Sequence, residues 1–251
     1  MCSRSDLREA PLAPSSRPHQ STTGNLLLDL LPAAGLEALR PHCKTVKLRP
    51  DQAMQEPGRR AAHVFFPTSG MISVLVAMAG GTAVEIGLVG REGMLGVPAV
   101  LGDDTPSHKA VVQLAGSAIR VRSVDLERVG QAHPELRSLL LRYAQFVMIN
   151  AMQSAGCNRL HQLEPRCARW LLSAHDRAET DTFAITHEYL ALMLGVRRPG
   201  VTVAVQSLRE HGLITYNHGT MTILDRAGLM AASCECYGFI RHEAERLIGS
   251  G

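Results

Sequence analysis

The sequence predicts an α+β chain built from an N-terminal β-roll, one long helix and a C-terminal winged helix-turn-helix. Three observations carry this reading. Between Val46 and Arg122, Val, Ile, Phe and Thr alternate with small or polar residues in pieces of about five, separated by Gly and Pro clusters. After Pro134 one apolar helical period runs for roughly 25 residues without a breaker. Beyond Thr186 two short helical patterns meet at a glycine and lead into an alternating hairpin. The length of 251 residues suits one large or two modest domains. With 26 basic against 23 acidic residues, the charge is too balanced for the chain as a whole to act as a polycation. Any site for a polyanion must therefore be local.

Each element follows in order. Residues 1–24 are rich in Pro, Ser and Arg without a hydrophobic period, which predicts a disordered tail. From Asn25, the leucines at 26, 27, 30 and 31, a break at Pro32, and Leu36 and Leu39 before Pro41 predict two short helices. Residues 25–132 are read as the roll. Its strands run from His63 to Phe66, Met71 to Met78 and Ala83 to Val89, with turns at Pro57-Gly58, Pro67 to Gly70 and Gly80-Gly81. Ser123 is the expected N-cap of a following helix, with Asp125 and Glu127 in its first turn. The long helix takes residues 133–158, with Leu136, Leu139, Leu140, Tyr143, Val147, Asn150 and Ala151 on one face. Residues 159–232 form the winged unit. Residues 233–251 are a helical tail.

The chemistry is concentrated between Thr186 and Thr222. Thr186 caps a helix whose apolar face is Leu190, Met193 and Leu194, Gly195 supplies the positive φ that ends it, and Val196 plugs the corner. The second helix buries Val201, Val205 and Leu208 and turns Arg197, Arg198, Gly200, Thr202, Gln206 and Arg209 outward. Two arginines at a helix N-terminus oppose the macrodipole by roughly 0.3–1 kcal/mol, a poor choice for folding alone. A phosphate or a guanine edge reverses that balance, because an Arg there can pair bidentately with guanine O6 and N7. The hairpin around Asn217-His218-Gly219 is a wing, offering Tyr216, Asn217, His218 and Thr220 to backbone phosphate.

With these residues in view, the chain resembles the Crp/Fnr family of bacterial transcription regulators over roughly residues 25 to 230. Gly195, Arg198, Val201, Leu208 and Leu213-Ile214 fall on the family pattern without a gap. The resemblance implies a cyclic-nucleotide-binding-like roll and a cytoplasmic homodimer joined through the 133–158 helix. Its implied partners are double-stranded DNA carrying a palindromic operator and RNA polymerase. The candidate DNA-binding set is Thr186, His187, Arg197, Arg198, Gly200, Thr202, Gln206, Tyr216 and His218. Two departures matter. Pro199, Gly200, Thr202 and Val203 stand where the family's recognition motif carries other residues, so a different operator is expected. The ligand cassette in the roll reads Gly96-Val97 and Ser107-His108-Lys109-Ala110, so the ribose-binding carboxylate is missing and Lys109 replaces the phosphate-clamping Arg with a point charge. Gly96, Val97, His108 and Lys109 are thus a degenerate ligand site, and cyclic nucleotide binding of the usual kind is not expected.

No cofactor or metal is expected either. Only Cys2 and Cys43 lie near the N-terminus, too few for the iron–sulfur cluster of oxygen-sensing relatives. Cys234-Glu235-Cys236 with His242 lacks a convincing second ligand pair, which favours buried or idle thiols. His63 and His108 read as structural histidines, and Met148 and Met152 as core or dimer packing. GxSxG, HExxH and Walker patterns are absent, which argues against an enzyme. No apolar run approaches the ~20 residues of a membrane span, and the charged, Pro-containing start does not resemble a signal peptide. The alternative is a small-ligand sensor or protein-interaction module that has lost specific DNA binding, a reading the near-neutral winged unit supports.

Overall fold

A computed structural model describes residues 22–79, 83–178 and 180–249. The tail through residue 21, with Cys2, and the turn at Gly80-Gly81 lie outside the described residues. Asn25 caps the first helix, α1 (Leu26–Asp29), by accepting from the Leu28 N–H at 3.0 Å. Its amide also donates to the carbonyls of Pro67 and Gly93, at 2.8 and 2.9 Å, which ties this buried side chain to the roll. Helix α2 (Ala33–Leu39) and a 3-10 turn at Arg40–His42 complete the lead-in.

The roll is an antiparallel sheet with the order β1 (Lys44–Leu48), β5 (Lys109–Arg122), β3 (His63–Ala77), β4 (Ala83–Val89), and β2 (Ala53–Gln55) also pairs with β5. Pro67 to Gly70, expected to be a turn, is instead an irregular stretch within the single strand β3. Pairing with β5 shifts register between Pro67 and Ser69 and again between Ser69 and Met71. Pro67 cannot donate to a ladder, and Gly70 sits at φ 77 with the Leu114 and Ala115 carbonyls where a Cβ would project. The breakers bend the strand without ending it.

Gly96 precedes the short helix α3 (Val97–Val100). Helix α4 (Ser123–Ala132) begins one residue earlier than a Ser123 cap requires. The Ser123 hydroxyl donates to the Ala61 carbonyl, and Arg122 occupies the cap position. Asp125 instead receives Arg122 and Arg128, and those contacts hold its carboxyl below the usual carboxylate range.

Helix α5 (Pro134–Leu160) spans 27 residues, roughly 40 Å at 1.5 Å per residue. It buries Leu136, Leu139, Leu140, Tyr143 and Phe146 against the roll, while Met148 and Met152 remain 53% and 64% exposed. The C-terminal part contains α6 (Leu163–Ala178), β6 (Thr182–Ala184), α7 (His187–Leu194), α8 (Arg198–Glu210), the β7 (Ile214–Asn217) and β8 (Thr220–Ile223) hairpin, and α9 (Arg226–Ala232). Between α6 and α7 lies β6, an edge strand on β8. Helix α10 (Cys236–Ile248) is no free tail: Leu247 and Ile248 enter the same core as Leu27, Val64 and Tyr143.

The two halves share apolar packing. Met71 and Leu75 of β3 join the core of α6, α7 and α8. At the same boundary the Trp170 indole donates to Glu85 Oε1 at 2.8 Å, and Arg177 pairs with Glu92 at 2.8 Å. A cleft of about 290 Å³ opens there among β4, α5, α6 and α10.

Candidate nucleic-acid interface

The reading head is built from local signals. Thr186 Oγ1 accepts from the Tyr189 N–H at 3.1 Å, as a cap does, and Gly195 closes α7 at φ 64, a left-handed conformation costly for residues with a Cβ. Leu190, Met193, Leu194, Val201, Ala204, Val205 and Leu208 are buried where the two helices cross. The opposite face of α8 is open: Arg197, Arg198, Thr202, Gln206 and Arg209 are all exposed. Among the described residues, neither Arg197 nor Arg198 has a carboxylate within ion-pair distance. Two cations at the N-terminal end of α8 are thus left without protein counter-charge.

The expected residues divide into presenting and bracing groups. Thr202 donates to the Arg198 carbonyl at 3.2 Å, so its oxygen accepts from His187 Nδ1 at 3.2 Å. The His187 ring then stacks on Tyr216, with centroids 4.3 Å apart and an interplanar angle of 21°. Tyr216, His187 and Thr202 therefore form a strut from wing to α8. Burial, with Arg198 and Arg209 nearby, pushes the His187 pKa down, so the strut is neutral at pH 7. Gln206 donates to Glu210 at 2.8 Å and accepts from Arg209 at 3.1 Å, which holds its amide along the helix.

Gly200 does not face outward as expected. A Cβ there would lie 3.0 Å from Leu163, so the position serves close packing of α8 on α6. His218 and Gly219, at φ 45 and 82, form a two-residue primed hairpin turn that leaves the His218 side chain exposed. The outward set omitted an exposed apolar residue of α8. Val203 is 70% exposed between Thr202 and Gln206, and its isopropyl group is suited to a thymine methyl. Its position one residue after Thr202 on the helical wheel was the available signal.

Among the described residues, no hydrogen bond or ion pair joins Gly96 or Val97 to His108 or Lys109. Leu95, next to Gly96, bridges Phe65 near one end of β3, whereas Lys109 pairs with Leu75 toward the other. About ten residues of a bent strand lie between these two pairings. Lys109 lies 3.6 Å from Glu56, and His108 contacts Ser107 at 3.0 Å. Val97 begins α3, beyond Gly96 at its N-cap.

Residues 165–232 match the family model described as a Crp-like helix-turn-helix domain. This segment is a Crp-like helix-turn-helix domain. Over about three-quarters of its length the chain shares its fold with solved Crp/Fnr-family regulators. It aligns with FixK2 of Bradyrhizobium japonicum at 15% identity and a TM-score of 0.67, covering 76% of this chain and 98% of that one. A Crp/Fnr-family transcriptional regulator from Thermus thermophilus aligns at 21% identity and 0.63, covering 76% and 98%. The c-di-GMP responsive global regulator CLP of Xanthomonas campestris aligns at 15% and 0.64, covering 76% and 99%. At these identities the likeness is one of fold. A search of curated protein sequences found no match. Among the described residues, no helix is long and apolar enough to cross a membrane.

Proposed function

We propose that the protein is a Crp/Fnr-type transcriptional regulator that binds a two-fold-symmetric DNA operator as a homodimer. The observation that carries this reading is the outward face of α8. Arg197 and Arg198 stand at its start with no carboxylate among the described residues within ion-pair distance, and Thr202, Val203, Gln206 and Arg209 continue the same face. In the Crp-like domain this helix enters the major groove. Arg198 reads a base edge, and His218 at the wing tip approaches the phosphates.

Dimerisation is supported by α5. Leu141, Met148 and Met152 are exposed, with the small residues Ala144, Ala151 and Ala155 between and beyond them at helical spacing. This stripe points away from the roll, extends over several turns and suits a second copy of α5. The roll acts on the reading head through β4, whose Glu85 meets Trp170 of α6 and whose Val84 lies beside Gly195. Because the cassette lacks the ribose-binding carboxylate and carries Lys109 in place of a clamping Arg, a cyclic nucleotide is not the signal in the usual manner.

The test is selection of bound duplexes from a random pool, followed by fluorescence anisotropy across a salt series. A palindromic site is expected. Arg198→Glu should weaken binding to it by at least the roughly 1–3 kcal/mol of one base-reading Arg, and should reduce the salt slope. Unchanged affinity and slope in that variant would refute the placement of the reading head. A failure to enrich any sequence would favour an interaction module without specific DNA binding.

A further inference from the structure

Cys157 and His161 lie one turn apart at the C-terminal end of α5, and Cys234 and Cys236 lie where α9 gives way to α10. The fold brings the four together although 77 residues separate Cys157 from Cys234. One ligand atom from each falls within 4.8 Å of all the others. Cys157 Sγ lies 3.5 Å from Cys234 Sγ, and Cys236 Sγ lies 3.6 Å from His161 Nδ1. A tetrahedral zinc with Zn–S near ~2.3 Å and Zn–N near ~2.05 Å has S–S edges of about 3.8 Å and S–N edges of about 3.6 Å. The two measured edges therefore already resemble those of one tetrahedron.

The surroundings match a closed site as well. The three cysteines are at most 6% exposed. The His161 ring offers Nδ1 to the cluster while Nε2 lies 3.1 Å from Glu235 Oε1, the carboxylate–histidine arrangement that orients a metal ligand. Gln153 donates to Cys236 Sγ at 3.0 Å, a contact that favours thiolate. Arg166 is only 7% exposed, and among the described residues its Nε has no hydrogen-bond partner. An uncompensated buried guanidinium is costly, and a site of three thiolates around a divalent ion supplies a net charge of about −1 beside it.

We propose that Cys157, His161, Cys234 and Cys236 hold one zinc ion in a closed Cys3His site that pins α10 to the joint between α5 and α6. Binding releases the three thiol protons to solvent and leaves His161 neutral. The pin also reaches the reading head, because Arg166 Nη2 donates to the Leu194 carbonyl at the end of α7 at 2.6 Å. The site is independent of the DNA reading and stands or falls on its own measurement.

The full chain, purified under reducing conditions and desalted, is assayed for metal by mass spectrometry, and then reconstituted with cobalt for absorption spectroscopy. About one zinc per chain is expected, with intense thiolate-to-cobalt and tetrahedral d–d bands after exchange. Cys157→Ser and Cys236→Ser should each lose at least ten-fold in zinc affinity in a chelator competition, while Cys43→Ser retains the metal. If the variants fail to fold, the cobalt spectrum and the chelator competition of the wild-type chain still decide. Zinc content well below one with a six-coordinate cobalt spectrum would overturn the proposal. So would iron with acid-labile sulfide, which marks a cluster, or a Cys157–Cys234 disulfide in the freshly purified chain.

Discussion

Glu85→Gln is the substitution that most directly probes the joint between roll and reading head. Part of the Glu85 stem is exposed, but Oε2 is shut off from solvent and, among the described residues, has no hydrogen-bond partner. Oε1 accepts the Trp170 indole N–H, the Ser73 hydroxyl lies near enough to favour the charged form, and Arg177 and Arg169 act from a greater distance. Burial outweighs these favourable contacts and raises the carboxyl from 4.5 to about 7. An acid with a raised folded-state pKa favours the fold while protonated. Its contribution is complete below about 4.5 and is lost as pH rises through about 7. At about 1.36 kcal/mol per unit, the full loss is about 3 kcal/mol, an upper bound if the joint relaxes. Gln keeps the acceptor for Trp170 and cannot ionise. The variant should match the wild type at about pH 4 and gain up to that amount at about pH 8, or roughly 6–12 °C in melting temperature. Trp170 is the single tryptophan, so its fluorescence reports both unfolding and the local titration. Equal pH dependence of wild type and variant, with no change in Trp170 emission around neutrality, would refute the argument.

Three further outcomes are expected. Gly93→Ala places a Cβ on the ring and hydroxyl of buried Tyr143 and should cost about 1–3 kcal/mol in chemical denaturation; an unchanged midpoint would contradict the packing described for α5 on the roll. Thr186→Ala removes the cap of α7 and should cost about 1 kcal/mol, with Thr186→Ser retaining most of it, as read by thermal melting. Met148→Glu with Met152→Glu should convert a dimer to a monomer in light scattering at unchanged circular dichroism, and persistence of the dimer would move the interface off this stripe.

The parts legible in the sequence were those specified within a few residues of themselves. The α7 cap and stop are Thr186 and Gly195, and the core period of α8 repeats every turn, so neither needed tertiary information. The wing followed from alternation around Asn217 to Gly219 for the same reason. Pro67 and Gly70 misled because a breaker reads alike whether it ends a strand or bends one, and the pairing of β3 with β5 decides which. Gly200 misled because its outward position on the helical wheel of α8 is covered by Leu163, a residue of another helix. The four-residue cysteine and histidine cluster was invisible for a stronger version of this reason. Spacing around Cys234 and Cys236 pointed to His242, whereas the fold supplies Cys157 and His161 from the far end of α5.

The closing turns of α10 bear on how this chain can be divided. Leu247 and Ile248 pack with Leu27 in one core, so the beginning and the end of the described chain meet in space. Met71 and Leu75, meanwhile, lend the roll's own strand to the core of the helix-turn-helix. A fragment cut at the limits of the Crp-like domain would therefore leave behind α10 and expose apolar surface that β3 normally covers. The segment that looks most portable along the sequence is a shared room in the folded molecule, with walls belonging to both neighbours.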